Sequence, residues 1–228
     1  MPITKRYAKK TVKLQPNRIE AFLEFDDIIS INSDIRAKVD EITYSLDEVT
    51  KARSIFEWVR DEVSHSKDSG EEAVTCSAIE VFSRRTGICY PKAHLLASMM
   101  RHAEIPCGFC YQVFDNNLAQ TEKRNALHGL NAFYLKTTNR WHRVDPRGNR
   151  NDVQAEFSTG DEMLAFPEMN FCDDVVYAAP FDVVVAALQN AENIMALWPH
   201  LPSIPKVCLL YTSPSPRDQR GSRMPSSA

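Results

Sequence analysis

A chain of 228 residues, 43% hydrophobic and 25% charged, has an ordinary globular composition and room for one substantial core. Its net charge of −3, with no Lys/Arg-rich run interleaved with aromatics, argues against a nucleic-acid partner. The charged start "MPITKRYAKK" lacks the apolar stretch of a secretory signal and no apolar run is long enough to cross a bilayer, so a soluble, cytoplasmic protein without a membrane partner is expected.

Residues 1–30 approach the fold with room for one strand and little periodicity. Ser33, with Asp34 in the first turn, predicts a short helix to about Ile42. A stronger helix starts near Ser45 or Asp47, where Val49, Ala52, Ile55, Phe56, Val59 and Val63 recur on one face. "SHSKDSGEE" breaks it, and "TCSAIEVFSRR" is a short helix that leads to Gly87 and Cys89. From Cys89 an amphipathic helix is expected, with Ala93, Leu96, Met99, Met100 and Ala103 at steps of three and four and Pro91 tolerated in the first turn. "GFCYQVF", "HGLNAFYL" and "RWHRVDP" then read as strands, separated by turns such as "TTNR". Helices followed by an antiparallel sheet predict an α+β fold. Residues 160–205 form a C-terminal extension whose main helix, capped by Asp182, runs through "VVVAALQNAENIMALW" until Pro199 stops it.

One domain over residues 1–207, with a core at about 48–150, is expected. "CLLYTSPSPRD", residues 208–218, resembles a translated sequencing-library adapter, and 208–228 is read as a disordered tail foreign to the fold. Without its three arginines and one aspartate the net charge goes from −3 to −5.

Six cysteines at 76, 89, 107, 110, 172 and 208 are too irregularly spaced for a disulfide scaffold. Cys107 and Cys110 make a single CxxC with no matching pair for zinc, and the strand-like alternation of Phe109, Tyr111 and Val113 favours packing for Cys110 over a metal or redox role. Cys89 differs because a thiol at a helix N-terminus meets the positive end of the dipole, a setting that favours the nucleophilic thiolate. Such a thiol needs a base, and the base an orienting partner. If His128 faces Asp145 across a hairpin, the turn centre falls between Lys136 and Thr137, inside "LKTTNR". Opposed residues share a face with Cβ atoms about 4.5–5.5 Å apart, close enough for an imidazole–carboxylate hydrogen bond.

"TGICYPKAHLLASMMRHAEIPCGFCYQVF", "LHGLNAFYL" and "NRWHRVDPRGN" resemble the core of the transglutaminase-like superfamily, with its papain-like Cys-His-Asp logic. The pattern is filled at Gly87, Cys89, Ile105, Pro106, His128, Trp141, Asp145 and Pro146. It departs after the histidine, where the family often has an aromatic ("H-x-W") and this chain has Gly129 and Leu130. The resemblance implies Cys89 as nucleophile, His128 as base and acid, and Asp145 as orienter, acting on a protein, peptide or small amide through a thioester with no metal or organic cofactor. For the acyl oxygen, the Cys89 N–H is one expected donor. His65, Trp58 and Tyr90 are candidates for the oxyanion or substrate lining, against packing roles for each. His65 and Asp68 also fit a helix-ending turn cluster, and His94 either borders the cleft or packs in its helix. Two alternatives stay open, a non-catalytic binding module on the same fold and an arylamine-acetyltransferase-like enzyme, although no coenzyme A signature is visible. Oligomeric state is not legible.

Overall fold

The computed structural model describes residues 12–114 and 126–203. The adapter-like segment and Cys208 lie outside the described residues. Strand β1 (Lys13–Gln15) and a 3₁₀ turn at Ile19–Leu23 lead into α1 (Ser33–Thr43) and α2 (Glu48–Glu62). The cap of α1 is Asn32, whose side chain accepts the Ile35 amide, so Ser33 is the first helical residue and not the cap. Asp47 caps α2, accepting from Val49 and Thr50. The polar stretch expected only to break α2 folds into β2 (Ser64–His65) and a single turn, α3 (Ser66–Ser69). Then come α4 (Ala78–Arg84), started by a Ser77–Glu80 capping box, β3 (Thr86–Gly87) and α5 (Cys89–His102).

Helix α5 is not amphipathic. Every residue from Cys89 to Arg101 is buried, because α1, α2 and α4 pack on one side of it and strands β4 (Cys107–Val113) and β5 (Leu127–Leu135) on the other. A helix enclosed on all sides has no solvent face for polar residues, so its Lys92 and Arg101 must satisfy their charges internally. Arg101 does so by donating to the carbonyls of Glu24, Cys107 and Ala178.

β5 continues antiparallel into β6 (Arg140–Val144), and β7 (Asn170–Phe171) and β8 (Val175–Tyr177) return to the same sheet, which runs β1-β8-β4-β5-β6 with β7 on β4. The fold is α+β, as the order of elements predicts, but the C-terminal extension contributes two strands, β7 and β8, besides its helices. That extension also lacks its single long helix. α6 (Asp182–Asn190) ends where Ala191 turns extended, and Asn193 caps a separate short helix, α7 (Ile194–Leu197), by accepting from Ala196. Asp182 is the first residue of α6, with Phe181 at the cap position making no side-chain bond.

The inner face of the sheet carries Cys107, Phe109, Tyr111, Phe133, Leu135 and Val144 against α5 in the main core. The outer face carries Cys110, Leu130 and Ala132 under Phe22, Leu164 and Trp141. Cys107 and Cys110 therefore point to opposite faces of β4 and cannot share a metal or a disulfide.

Candidate active site

A Cβ at Gly87 would stand 3.0 Å from both Pro91 and Thr75, so a side chain there would have to push these neighbours aside where the chain turns from β3 into α5. Cys89 emerges from that turn as the first residue of α5, and Ile88 at the cap position supplies no side-chain bond, so no cap covers the first-turn amides.

β5 and β6 pair Asn131 with Val144 and Leu135 with Arg140. This register differs by two residues from the one expected, so that Leu130, not His128, falls opposite Asp145. An even slip leaves every side chain on its original face, and a side chain can still reach its diagonal neighbour. His128 Nε2–H donates to Asp145 Oδ2 at 2.7 Å. Cys89 lies close enough to the same imidazole to raise its pKa, and with Nε2 engaged by Asp145 the ring nitrogen left for the thiol is Nδ1. The structure thus brings together the three residues that the sequence pattern pairs.

Asp145 is fully buried and its oxygens are well supplied: Oδ1 accepts the Arg147 amide at 3.1 Å, and Oδ2 also accepts the Ala165 amide at 3.3 Å. Burial pulls this carboxyl upward, but the His128 charge and the hydrogen bonds outweigh it and hold it below the usual carboxylate value. Burial likewise opposes charge on His128, yet Asp145 and then Cys89 push the imidazole up to about 10. The pair is a carboxylate–imidazolium ion pair at neutral pH, with Cys89 only 9% and His128 only 2% exposed.

The other candidates separate. Tyr90 is buried, its hydroxyl donated to the Leu127 carbonyl and its ring laid against Gly129, where a Cβ would come within 2.7 Å of it. Trp58 stacks on Phe82 at 5.6 Å with the Arg85 guanidinium over both rings, and none of its described contacts is to Cys89, His128 or Asp145. His94 is a core residue bonded to the Cys76 carbonyl at 2.7 Å and pushed down to about 4 by burial. His65 pairs with Gly87 across the two-stranded β2–β3 ladder, which carries it to the approach to Cys89. Burial and then the Arg147 charge push its imidazole down to about 3, so it is neutral beside a charged His128. Its Nδ1 lies 3.6 Å from Asp68, a carboxylate that also holds Arg147 at 2.8 Å and Arg150 at 3.1 Å.

Three neighbours went unnoticed in the sequence. Phe166 sits edge-on to His128 at 4.9 Å and covers it, on a segment with no periodicity to advertise it. Arg147 ties the Asp145 turn to Asp68, and its place two residues after the aspartate was the only hint. Lys92, one turn beyond Cys89, is fully buried with its ammonium donated to the carbonyls of Arg60 and Val63 at the end of α2. Burial pushes it down to about 7 against the pull of Asp145. Its signal was available, since a lysine at that spacing falls on the same stripe as Cys89, Ala93 and Leu96.

Residues 36–146 match the sequence profile of the transglutaminase-like superfamily. Among solved structures it is similar to a candidate cysteine protease from Cytophaga hutchinsonii, at 19% identity and a TM-score of 0.45, covering 57% of this chain and 42% of that one. It is similar also to the periplasmic domain of TgpA from Pseudomonas aeruginosa, at 18% identity and a TM-score of 0.44, covering 57% of this chain and 47% of that one. The chain thus spans less than half the length of either structure. No curated protein matches it. Among the described residues no helix is long and apolar enough to cross a membrane.

Proposed function

We propose that the protein is a cysteine-dependent acyl-transfer enzyme acting on amide bonds. The observation that carries this reading is the buried 2.7 Å His128–Asp145 pair with Cys89 beside the same imidazole. Cys89 Sγ attacks the amide carbon, and the tetrahedral adduct collapses to a thioester as His128 Nδ1 gives its proton to the leaving amine. Water or an amine, deprotonated by the now neutral His128, then attacks the thioester and returns the thiol. Water as acceptor makes the protein a peptidase or amidase, and a primary amine makes it a transglutaminase.

The acyl oxygen is assigned to the Cys89 N–H and, of the three side chains considered, to His65. Tyr90 has its proton committed to Leu127 and Trp58 is engaged by Phe82 and Arg85. Asp68 is already occupied by two arginines and stands beyond hydrogen-bond distance of His65 Nδ1, which leaves the tautomer protonated at Nε2 free to donate.

Iodoacetamide labelling from pH 4 to 9, with mass-spectrometric site assignment, tests the nucleophile. Burial pushes the thiols of Cys76 to about 11 and of Cys107, Cys110 and Cys172 to about 12, so these label slowly at pH 6. Cys89 should label fast at pH 6 and lose that advantage in His128→Ala. Labelling no faster than its neighbours would sink the catalytic reading. His65→Ala should slow acylation by an activated ester but leave alkylation unchanged, since alkylation develops no oxyanion. Incorporation of a fluorescent primary amine, set against hydrolysis, then identifies the acceptor.

A further inference from the structure

On the outer face of the sheet, beside the dyad, four buried polar atoms have no hydrogen-bond partner among the described residues: Gln112 Oε1, Arg143 Nε, Arg143 Nη2 and Glu162 Oε2. They are neighbours. Gln112 lies opposite His128 on one side and Phe171 on the other. The Arg143 guanidinium rests 4.0 Å over the Phe171 ring. It also touches the Cys110 thiol, two residues before Gln112 on the same face. Glu162 reaches Arg143 Nη1 through Oε1 at 3.4 Å, a long contact for an ion pair whose arginine side chain is only 8% exposed.

A guanidinium offers parallel N–H groups from Nε and Nη2 along one edge, spaced to meet both oxygens of a carboxylate. In Arg143 that edge is buried with no oxygen acceptor on it among the described residues, while the opposite end holds Glu162. A thiol is a poor acceptor and does not satisfy a buried cation. Leaving charged donors unmet inside a protein is costly.

We propose that the layer between the outer face of the sheet and residues 162–171 is a binding site for a small carboxylate, gripped side-on by Arg143 Nε and Nη2 against the Phe171 ring. Gln112 Oε1 and Glu162 Oε2 line it. Burial raises the Glu162 carboxyl, and in its protonated form Oε2–H donates to the bound carboxylate instead of repelling it. The proposal does not depend on acyl transfer and holds whether or not Cys89 is a nucleophile.

Thermal unfolding of the full chain in acetate or succinate, against chloride at equal ionic strength, reads it directly. The midpoint should rise saturably with carboxylate in the wild type and equally in Cys89→Ala. In Arg143→Lys, which keeps the charge and loses the fork, binding should weaken by about tenfold or more. Equal midpoints in carboxylate and chloride overturn the site, as does an undiminished response in Arg143→Lys. Should that variant fail to fold, a crystal of the wild type soaked in acetate decides. Two carboxylate oxygens on Nε and Nη2 support the proposal, and an ordered water alone, or a side chain from residues 1–11 or 115–125 on that edge, refutes it.

Discussion

Lys92→Met gives a stability experiment whose sign depends on the burial of one ammonium group. Burial brings Lys92 from its ordinary 10.5 to about 7, which amounts to a penalty on the order of 5 kcal/mol for carrying the charge inside. Below pH 7 the folded and unfolded chains both hold the proton and the whole penalty is present. Between pH 7 and 10.5 the unfolded chain binds more protons than the folded one, so the contribution of Lys92 makes stability rise with pH. Met has similar length and no charge, but it leaves the Arg60 and Val63 carbonyls without their donor, at about 1–3 kcal/mol each. Gain and loss therefore nearly cancel at pH 7, and a single stability measurement says little. The slope decides, because the lost hydrogen bonds do not titrate. Urea denaturation of both proteins at four pH values from 7 to 10 should give a wild-type curve that gains on the variant by up to about 1.4 kcal/mol per pH unit. Cysteines, tyrosines and His128 titrate in both proteins and drop out of the difference. Parallel curves would refute the reasoning and put the Lys92 ammonium in contact with solvent.

His128→Ala should shift the slope the other way. The folded-state value is raised to about 10, so the ion pair with Asp145 stabilises fully below about 6.5 and is lost as pH rises through 10, a decline that the same denaturation series should find missing in the variant. Gly129→Ala puts a methyl 2.7 Å from the Tyr90 ring, and a destabilisation of about 1–3 kcal/mol with slower Cys89 alkylation is expected. Tyr90→Phe leaves the buried Leu127 carbonyl unpaired and should cost about 1–3 kcal/mol by urea titration. Mild oxidation followed by peptide mapping should yield no Cys107–Cys110 disulfide, since the two thiols lie on opposite faces of β4.

Much of the fold was legible because it is written locally. Of the two starts expected for α2, Asp47 is the one that caps it, and the short helix expected in "TCSAIEVFSRR" forms behind a Ser77–Glu80 box. The hairpin register was misjudged by two residues, yet the face of every residue in it came out correctly, because alternation reports parity and not pairing. The misreadings share a cause, which is that partners distant in sequence decide them. Helix α5 looked amphipathic because Lys92, His94 and Arg101 broke its apolar pattern, and only the surrounding carbonyls let those groups be buried. The long C-terminal helix failed at Asn193, whose competing cap reads as an ordinary polar residue until the Ala196 amide is seen bonded to it. Phe166 and the Ala165 amide come from an irregular segment, where no period exists to be read.

Gly129, the position after His128, is a packing requirement of the candidate site. The space beside it is filled by the ring of Tyr90, which arrives from α5. Tyr90 follows the candidate nucleophile in sequence, and its hydroxyl grips the carbonyl of Leu127, the residue before the candidate base. Arg147 does the equivalent on the other side: its amide holds Asp145 while its guanidinium holds Asp68, which stands 3.6 Å from His65. Sequence neighbours of the candidate catalytic residues thus tie the site together, and a glycine at 129 is the condition for Tyr90 to lie where it does. An aromatic introduced at 129 would have to expel Tyr90, and with it the hydrogen bond that ties α5 to the start of β5. Gly129 and Tyr90 therefore have to change together for the site to stay assembled.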